Sequence, residues 1–269
     1  MRNNFLILIL LPFINGGSNI ENTSIQFNEK ISFKLNSYSK DSVIIETIKK
    51  NYIDVSNHEN GYLVFSDKSR IIYNDKKTKS RNELLDKPDI QDMFYWKYNP
   101  NNKIPIEYED PGRIRNELFF KAIYGTTKEN VRANLKSFIW CPKLVNQNIL
   151  FNKKNGALEA LQKVSNELDD HPEWKKYLTR IGGTFNWRKI NGTERLSAHS
   201  FGITIDINVE KSNYWQWDCN CTNENVKLKF INKIPLELVQ IFEKNGFIWG
   251  GRWYHYDTMH FEYRPELLN

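Results

Sequence analysis

Residues 201–209 read F-G-I-T-I-D-I-N-V, an alternation that fits a β-strand and little else. A period of two points Ile203, Ile205 and Ile207 one way and Thr204, Asp206 and Asn208 the other. Gly202 lets the chain turn from the preceding loop into that strand. A second short run, M-H-F-E-Y at 259–263, reads as the last strand of the chain. The two runs lie about fifty residues apart, and pairing as adjacent antiparallel strands would close that distance.

The residues around these strands carry the chemistry. In S-A-H-S-F-G-I-T-I-D (197–206), His199 stands seven residues before Asp206. In Y-H-Y-D-T-M-H-F-E (254–262), Asp257 stands three residues before His260. A seven-residue gap is not a helical ligand pair, so it needs a loop-to-strand geometry to bring both groups to one metal. Two histidines and one carboxylate hold a catalytic zinc when the fourth position is left to water, and the other carboxylate can act as base. The constellation therefore points to a zinc peptidase. His58 and His171 have no partner motif and read as ordinary surface or structural groups. His255 adjoins the second segment, which suits it to steadying a ligand or touching substrate.

With 269 residues the chain can form one large domain or two small ones. Residues 1–17 (M-R-N-N-F-L-I-L-I-L-L-P-F-I-N-G-G) have the basic start, apolar run and small residues of a secretory signal. The apolar run is too short to span a bilayer, so the expected product is secreted or periplasmic, with no stable membrane anchor after cleavage. The formal charge of +6 suits work on an anionic polymer, while no basic run interleaved with aromatics supports a nucleic-acid partner. An oxidising compartment permits a disulfide. Cys219 and Cys221 look too close to pair comfortably with each other, so Cys141 is expected to pair with one of them or all three to be plain buried cysteines.

The remaining pattern divides the chain into an accessory region, 18–137, and a catalytic domain, 138–269. After a polar lead-in to about residue 40, residues 42–73 read as short strands, with a hairpin about the turn at 67–69. Residues 75–112 are charged and rich in Asn and Pro, ending in the turn E-D-P-G. Two short helices broken near Gly125 are expected over 113–135, and one helix over 156–169. G-T-F-N-W-R (183–188) alternates like a strand, residues 235–245 form a helix with Pro235 near its first turn, and F-I-W-G-G enters another strand or loop.

The pattern S-x-H-x-x-G-x-x-x-D followed by D-x-x-H-F-E resembles the zinc D-alanyl-D-alanine carboxypeptidase family, which includes vancomycin-resistance D,D-peptidases and phage L-alanyl-D-glutamate endolysins. The resemblance runs from about Ile181 to Pro265 and takes in F-N-W-R, R-L-S-A-H-S-F-G, F-I-W-G-G and M-H-F-E-Y-R-P. It implies an α+β catalytic domain of the hedgehog/D,D-peptidase kind: a small antiparallel sheet with packed helices, preceded here by an N-terminal hairpin-and-helix segment. It implies His199, Asp206 and His260 as zinc ligands and Asp257 as general base, where many members carry Glu. Arg188 falls at the family's substrate-binding arginine. Arg195 is a candidate to grip a substrate carboxylate, Ser197 to fix the ligand loop or contact substrate, and Glu262 to orient His260. The implied reaction is hydrolysis of a peptide bond in peptidoglycan stem peptides, at D-Ala-D-Ala or at L-Ala-D-Glu. The rival readings are a zinc-holding wall-binding module that no longer cuts, and a zinc peptidase acting on a non-wall peptide.

Overall fold

The first described element is a helix where short strands were expected. The computed structural model describes residues 37–268, so the signal segment 1–17 and most of the polar lead-in lie outside the described residues. Helix α1 (Ser37–Asn51) buries Ile44, Ile45 and Ile48, and Tyr52 follows on the same stripe. The β-branched isoleucines suggested a strand, but their spacing of one, three and four residues is helical, and burial along that stripe decides the matter.

Three short strands follow: β1 (Val55–Glu59), β2 (Tyr62–Phe65) and β3 (Arg70–Ile72), joined in that order as an antiparallel sheet. Asn60 and Gly61, both at positive φ, make the first turn, and the expected turn at 67–69 makes the second. In the charged stretch, α2 (Arg81–Asp86) starts from Ser80, whose hydroxyl and the Glu83 carboxylate cap each other's backbone N–H. Helices α3 (Glu117–Tyr124) and α4 (Lys128–Ala133) break at Gly125, as the spacing predicted.

A second hairpin, β4 (Leu135–Trp140) and β5 (Gln147–Asn152), was not foreseen. Its strands do not alternate cleanly: L-K-S-F-I-W and Q-N-I-L-F-N bury residues at irregular intervals. Helix α5 (Ala157–Leu168) buries Leu158, Leu161, Val164 and Leu168, the face read from the sequence, and α6 (Lys175–Leu178) is a single turn.

The third sheet builds the site. It contains β6 (Ile181–Gly183), β7 (Thr204–Asn208), β8 (Phe247–Trp249) and β9 (His260–Tyr263) in the antiparallel order β6-β7-β9-β8. The strand expected over 183–188 ends instead at Gly183, which pairs with Asp206; residues 184–188 leave the sheet, and Thr184, Phe185, Asn186 and Arg188 line a cleft. Between β7 and β8 lie α7 (Trp215–Cys219) and α8 (Leu236–Lys244).

Ile203, Ile205 and Ile207 are fully buried beneath this sheet. On β9, Phe261 stacks on Phe242 of α8 with ring centroids 3.8 Å apart, and α5 packs against α8. Each such aliphatic or aromatic side chain contributes about 1.5–3 kcal/mol through burial. The same core includes Ile48, Tyr52, Phe119 and Phe120. The boundary drawn between residues 137 and 138 thus falls inside one compact unit, Ile44–Asn269. Polar ties cross that boundary too: the Tyr52 hydroxyl donates to Glu266 at 2.5 Å and that of Tyr98 to Glu243 at 2.6 Å.

The cysteine expectation is corrected. Cys219 and Cys221 are bonded to each other, with their Cα atoms 5.2 Å apart. Asn220 between them takes a left-handed conformation (φ 49°) that turns the two side chains to the same side, a geometry its residue type tolerates. Cys141 is a buried free thiol whose amide donates to the Ser165 hydroxyl, and burial pushes the thiol up to about 12.

Candidate metal centre

Asp206 on β7 and His260 on β9 are direct cross-strand partners, so their side chains leave the same face of the sheet. Asp206 Oδ1 lies 3.0 Å from His260 Nδ1. His199 arrives from a 3₁₀ turn, Ala198–Phe201, just before β7. Gly202 closes that turn at φ 65°, and a Cβ there would come within 2.5 Å of Leu135 Cδ2. His199 Nε2 lies 3.1 Å from Asp206 Oδ2, and the two imidazole centroids are 5.3 Å apart. One ligand atom from each of His199, Asp206 and His260 falls within 4.8 Å of the others.

Each imidazole is aimed by its other nitrogen. His199 Nδ1 donates to the Thr184 carbonyl at 3.0 Å, leaving Nε2 facing Asp206. His260 Nε2 faces Glu262 Oε2 at 3.4 Å, leaving Nδ1 facing Asp206. Glu262 is fully buried and gripped by Arg115, whose Nε lies 2.9 Å from Oε1 and whose Nη2 also contacts Oε2; Arg264 Nη1 adds a contact at 3.2 Å. Burial alone would raise the Glu262 pKa, but these guanidinium groups and His260 hold it well below the usual carboxylate range. Burial likewise opposes a charged His260, yet hydrogen bonds to Asp206 and Glu262 outweigh it and push the imidazole up to about 10. Asp206 is desolvated too, and the two imidazoles still hold its carboxyl far below its ordinary value.

Asp257 sits at the bridge between Tyr214 and β9's approach, its amide donating to the Gly250 carbonyl at 3.0 Å. Gly250 permits this close pass, since a Cβ there would lie 2.4 Å from the Asp257 carbonyl oxygen. Asp257 Oδ1 is buried with no hydrogen-bond partner. Burial, then the charge of Asp206, pushes its carboxyl up to about 7. A buried carboxylate oxygen without a partner is costly unless something cationic or protic faces it. Two oriented imidazoles, one carboxylate and this orphan oxygen fit a zinc ion better than they fit a protein-only network.

The other sequence candidates are placed as follows. Arg188 is exposed beside Asn186 on the rim of a cleft of about 220 Å³ that also includes His199 and Asp206. Ser197 is buried, and its amide donates to the Arg188 carbonyl. The side chain that ties this loop together is Ser200, whose hydroxyl accepts from the Arg188 amide at 3.1 Å and donates to its carbonyl at 3.0 Å. Arg195 lines a neighbouring cavity. His255 is buried outside the metal group, with Nδ1 on Asp110 and Nε2 on the Glu224 carbonyl, both at 2.9 Å.

Sequence reasoning missed Thr184, Ser200 and Arg115. Thr184 acts through its backbone carbonyl, which no side-chain pattern reveals. Arg115 lies in D-P-G-R-I-R, where the turn was visible but the reach of an arginine to Glu262, 147 residues on, was not.

Residues 191–263 match the family model described as D-alanyl-D-alanine carboxypeptidase. No curated protein and no solved structure matches the chain. The matched segment contains His199, Asp206, Asp257 and His260, so the resemblance read from the motifs holds where the site is built. Over residues 191–263 the chain is therefore similar to the D-alanyl-D-alanine carboxypeptidase family.

Proposed function

We propose that the protein is a secreted zinc metallopeptidase that hydrolyses a peptide bond in peptidoglycan stem peptides, at D-Ala-D-Ala or at L-Ala-D-Glu. The observation that carries this reading is Asp257: a buried carboxylate with one unpartnered oxygen, set beside a His–Asp–His group whose imidazoles are already aimed. Bound zinc supplies Lewis acidity and makes water nucleophilic near neutral pH. His199, Asp206 and His260 hold the ion, and Thr184 and Glu262 keep the two rings from rotating.

Asp257 takes a proton from the water that attacks the carbonyl carbon, and delivers it to the amine nitrogen as the C–N bond breaks. Arg188, on the cleft rim, donates to the oxyanion that develops on the former carbonyl oxygen. The products are a carboxylate and a free amine.

A wall-binding module that no longer cuts would have no use for a buried base, and Asp257 is present. A peptidase acting on a non-wall peptide would use the same site, and substrate separates it from the first reading. The test is mass spectrometry of purified muropeptides incubated with the zinc-loaded protein, with Asp257→Ala as the blank. Loss of one D-Ala, or scission after L-Ala, only with the intact protein supports the proposal and identifies the bond. No product with zinc bound would refute the peptidoglycan reading.

A further inference from the structure

Separate from the cleft that holds Arg188, and linked to the metal group through Arg115 and Glu262, lies a cavity of about 210 Å³. Its walls are the stretch 85–88 after α2, the stretch 113–120 entering α3, and the hairpin 188–197 that leads to His199. Three arginines converge on it: Arg113, Arg115 and Arg195. Arg113 is fixed by Asp110 and Glu224 at 2.9 and 2.7 Å, and Arg115 by Glu262. Those three acids stand behind the arginines and do not line the cavity. The arginines are therefore held in place while part of each faces inward.

Arg195 differs from the other two. Its side chain is 20% exposed, and its Nε is buried without a hydrogen-bond partner. Asp86 Oδ1 approaches Nε to 3.1 Å, but out of line for a hydrogen bond, and Asp86 is itself 58% exposed. Among the described residues no acceptor takes a hydrogen bond from this guanidinium. Glu117, the other acid on the wall, is already engaged by the Leu196 amide and by Lys121. Burial, and then the like charge of Arg113, lower the Arg195 pKa, and the charges of Asp86 and Glu224 oppose that shift only in part. A guanidinium offers five N–H donors in a planar fork that matches a carboxylate, so one that is ion-paired at its edge but donates no hydrogen bond suits an anion in the cavity.

We propose that this cavity is a carboxylate subsite: Arg195 grips a carboxylate carried by the substrate away from the bond that is cut, and Arg113 and Arg115 add positive field. The enzyme then selects anionic peptides. The carboxylate comes from the peptide's C-terminus or from an acidic side chain, and the chemistry of recognition is the same for both. The peptidase reading enters only in identifying the molecule that carries the carboxylate.

The test is calorimetric titration of the zinc-loaded full-length protein with glutarate and with its neutral analogue glutaramide, beside Arg195→Gln and Arg195→Lys. Glutarate should bind the parent protein with a salt-sensitive component at least about tenfold tighter than glutaramide. Arg195→Gln should abolish that component, and Arg195→Lys, which keeps the charge but loses the fork, should weaken it less. Equal glutarate binding by parent and Arg195→Gln, or none by the parent, overturns the subsite. A stem pentapeptide amidated at its C-terminus, and one amidated at the Glu α-carboxyl, then identify the source: the one whose affinity falls lost the gripped group. Glutarate binding that depends on Arg195 without stem-peptide hydrolysis would uphold the subsite and remove the peptidoglycan reading. Hydrolysis with glutarate binding indifferent to Arg195 would do the reverse.

Discussion

At the scale of single residues, the chain of contacts Arg115–Glu262–His260 explains how an imidazole on a four-residue strand is held in place. Glu262 is fully buried, and without Arg115 its charge would face His260 with only Arg264 to balance it. Partners that orient a metal-ligating histidine are typically worth 10- to 100-fold in metal affinity. Arg115→Gln is therefore expected to weaken zinc binding by about 10- to 100-fold in a competition titration against a chelator. Unchanged affinity would show that Glu262 orients His260 unaided. The group the structure brings together, His199, Asp206 and His260, was legible in the sequence by residue type and spacing, as was Asp257 three residues before His260. Arg115 and Thr184 were not, since one acts from a distant segment and the other through a carbonyl that every residue possesses.

At the scale of elements, the sheet β6-β7-β9-β8 positions the site and α8 holds the sheet. The Phe242–Phe261 stack joins helix to strand one residue from His260. Phe242→Ala should cost about 3–5 kcal/mol of stability, read as a lower urea midpoint. A loss under about 1 kcal/mol would mean the sheet does not depend on this contact. Elements with a clean period were read correctly: α5, α8 and β7 each bury the face their spacing predicts. The failures were elements whose identity tertiary context decides. Ile44, Ile45 and Ile48 favour a strand by type and a helix by spacing. The β4–β5 hairpin has neither alternation nor a Gly-rich turn to mark it. Cys219 and Cys221 looked too close to join until a left-handed Asn220 folded the chain back between them.

At the scale of the whole molecule, buried charges tie the segment 81–115 to the residues around the site. Asp110 is the hub: its side chain is fully buried, it contacts Arg81 and Arg113, and it accepts from the backbone and Nδ1 of His255. Burial would raise its pKa, but Arg113 and His255 hold it far below the ordinary carboxylate value. A carboxyl depressed in the folded state contributes stability that is present above its unfolded pKa of about 3.9 and is lost as pH falls toward the folded value. The urea midpoint should therefore decline as pH drops below about 5, and Asp110→Asn should be less stable at pH 7 with a flatter decline. An unchanged acid slope in Asp110→Asn would place the acid sensitivity elsewhere. Zinc should also bind more tightly as pH rises, because His260, with its pKa near 10, must give up a proton to become a ligand.

The central claim is that His199, Asp206 and His260 hold zinc while Asp257 stands free of it as the base. Zinc content of purified, dialysed protein tests this most directly, measured together for the parent, His260→Ala and Asp257→Ala. The account predicts one zinc per chain in the parent and in Asp257→Ala, and a loss of zinc in His260→Ala. Full zinc retention by His260→Ala, or loss of zinc by Asp257→Ala, would contradict it.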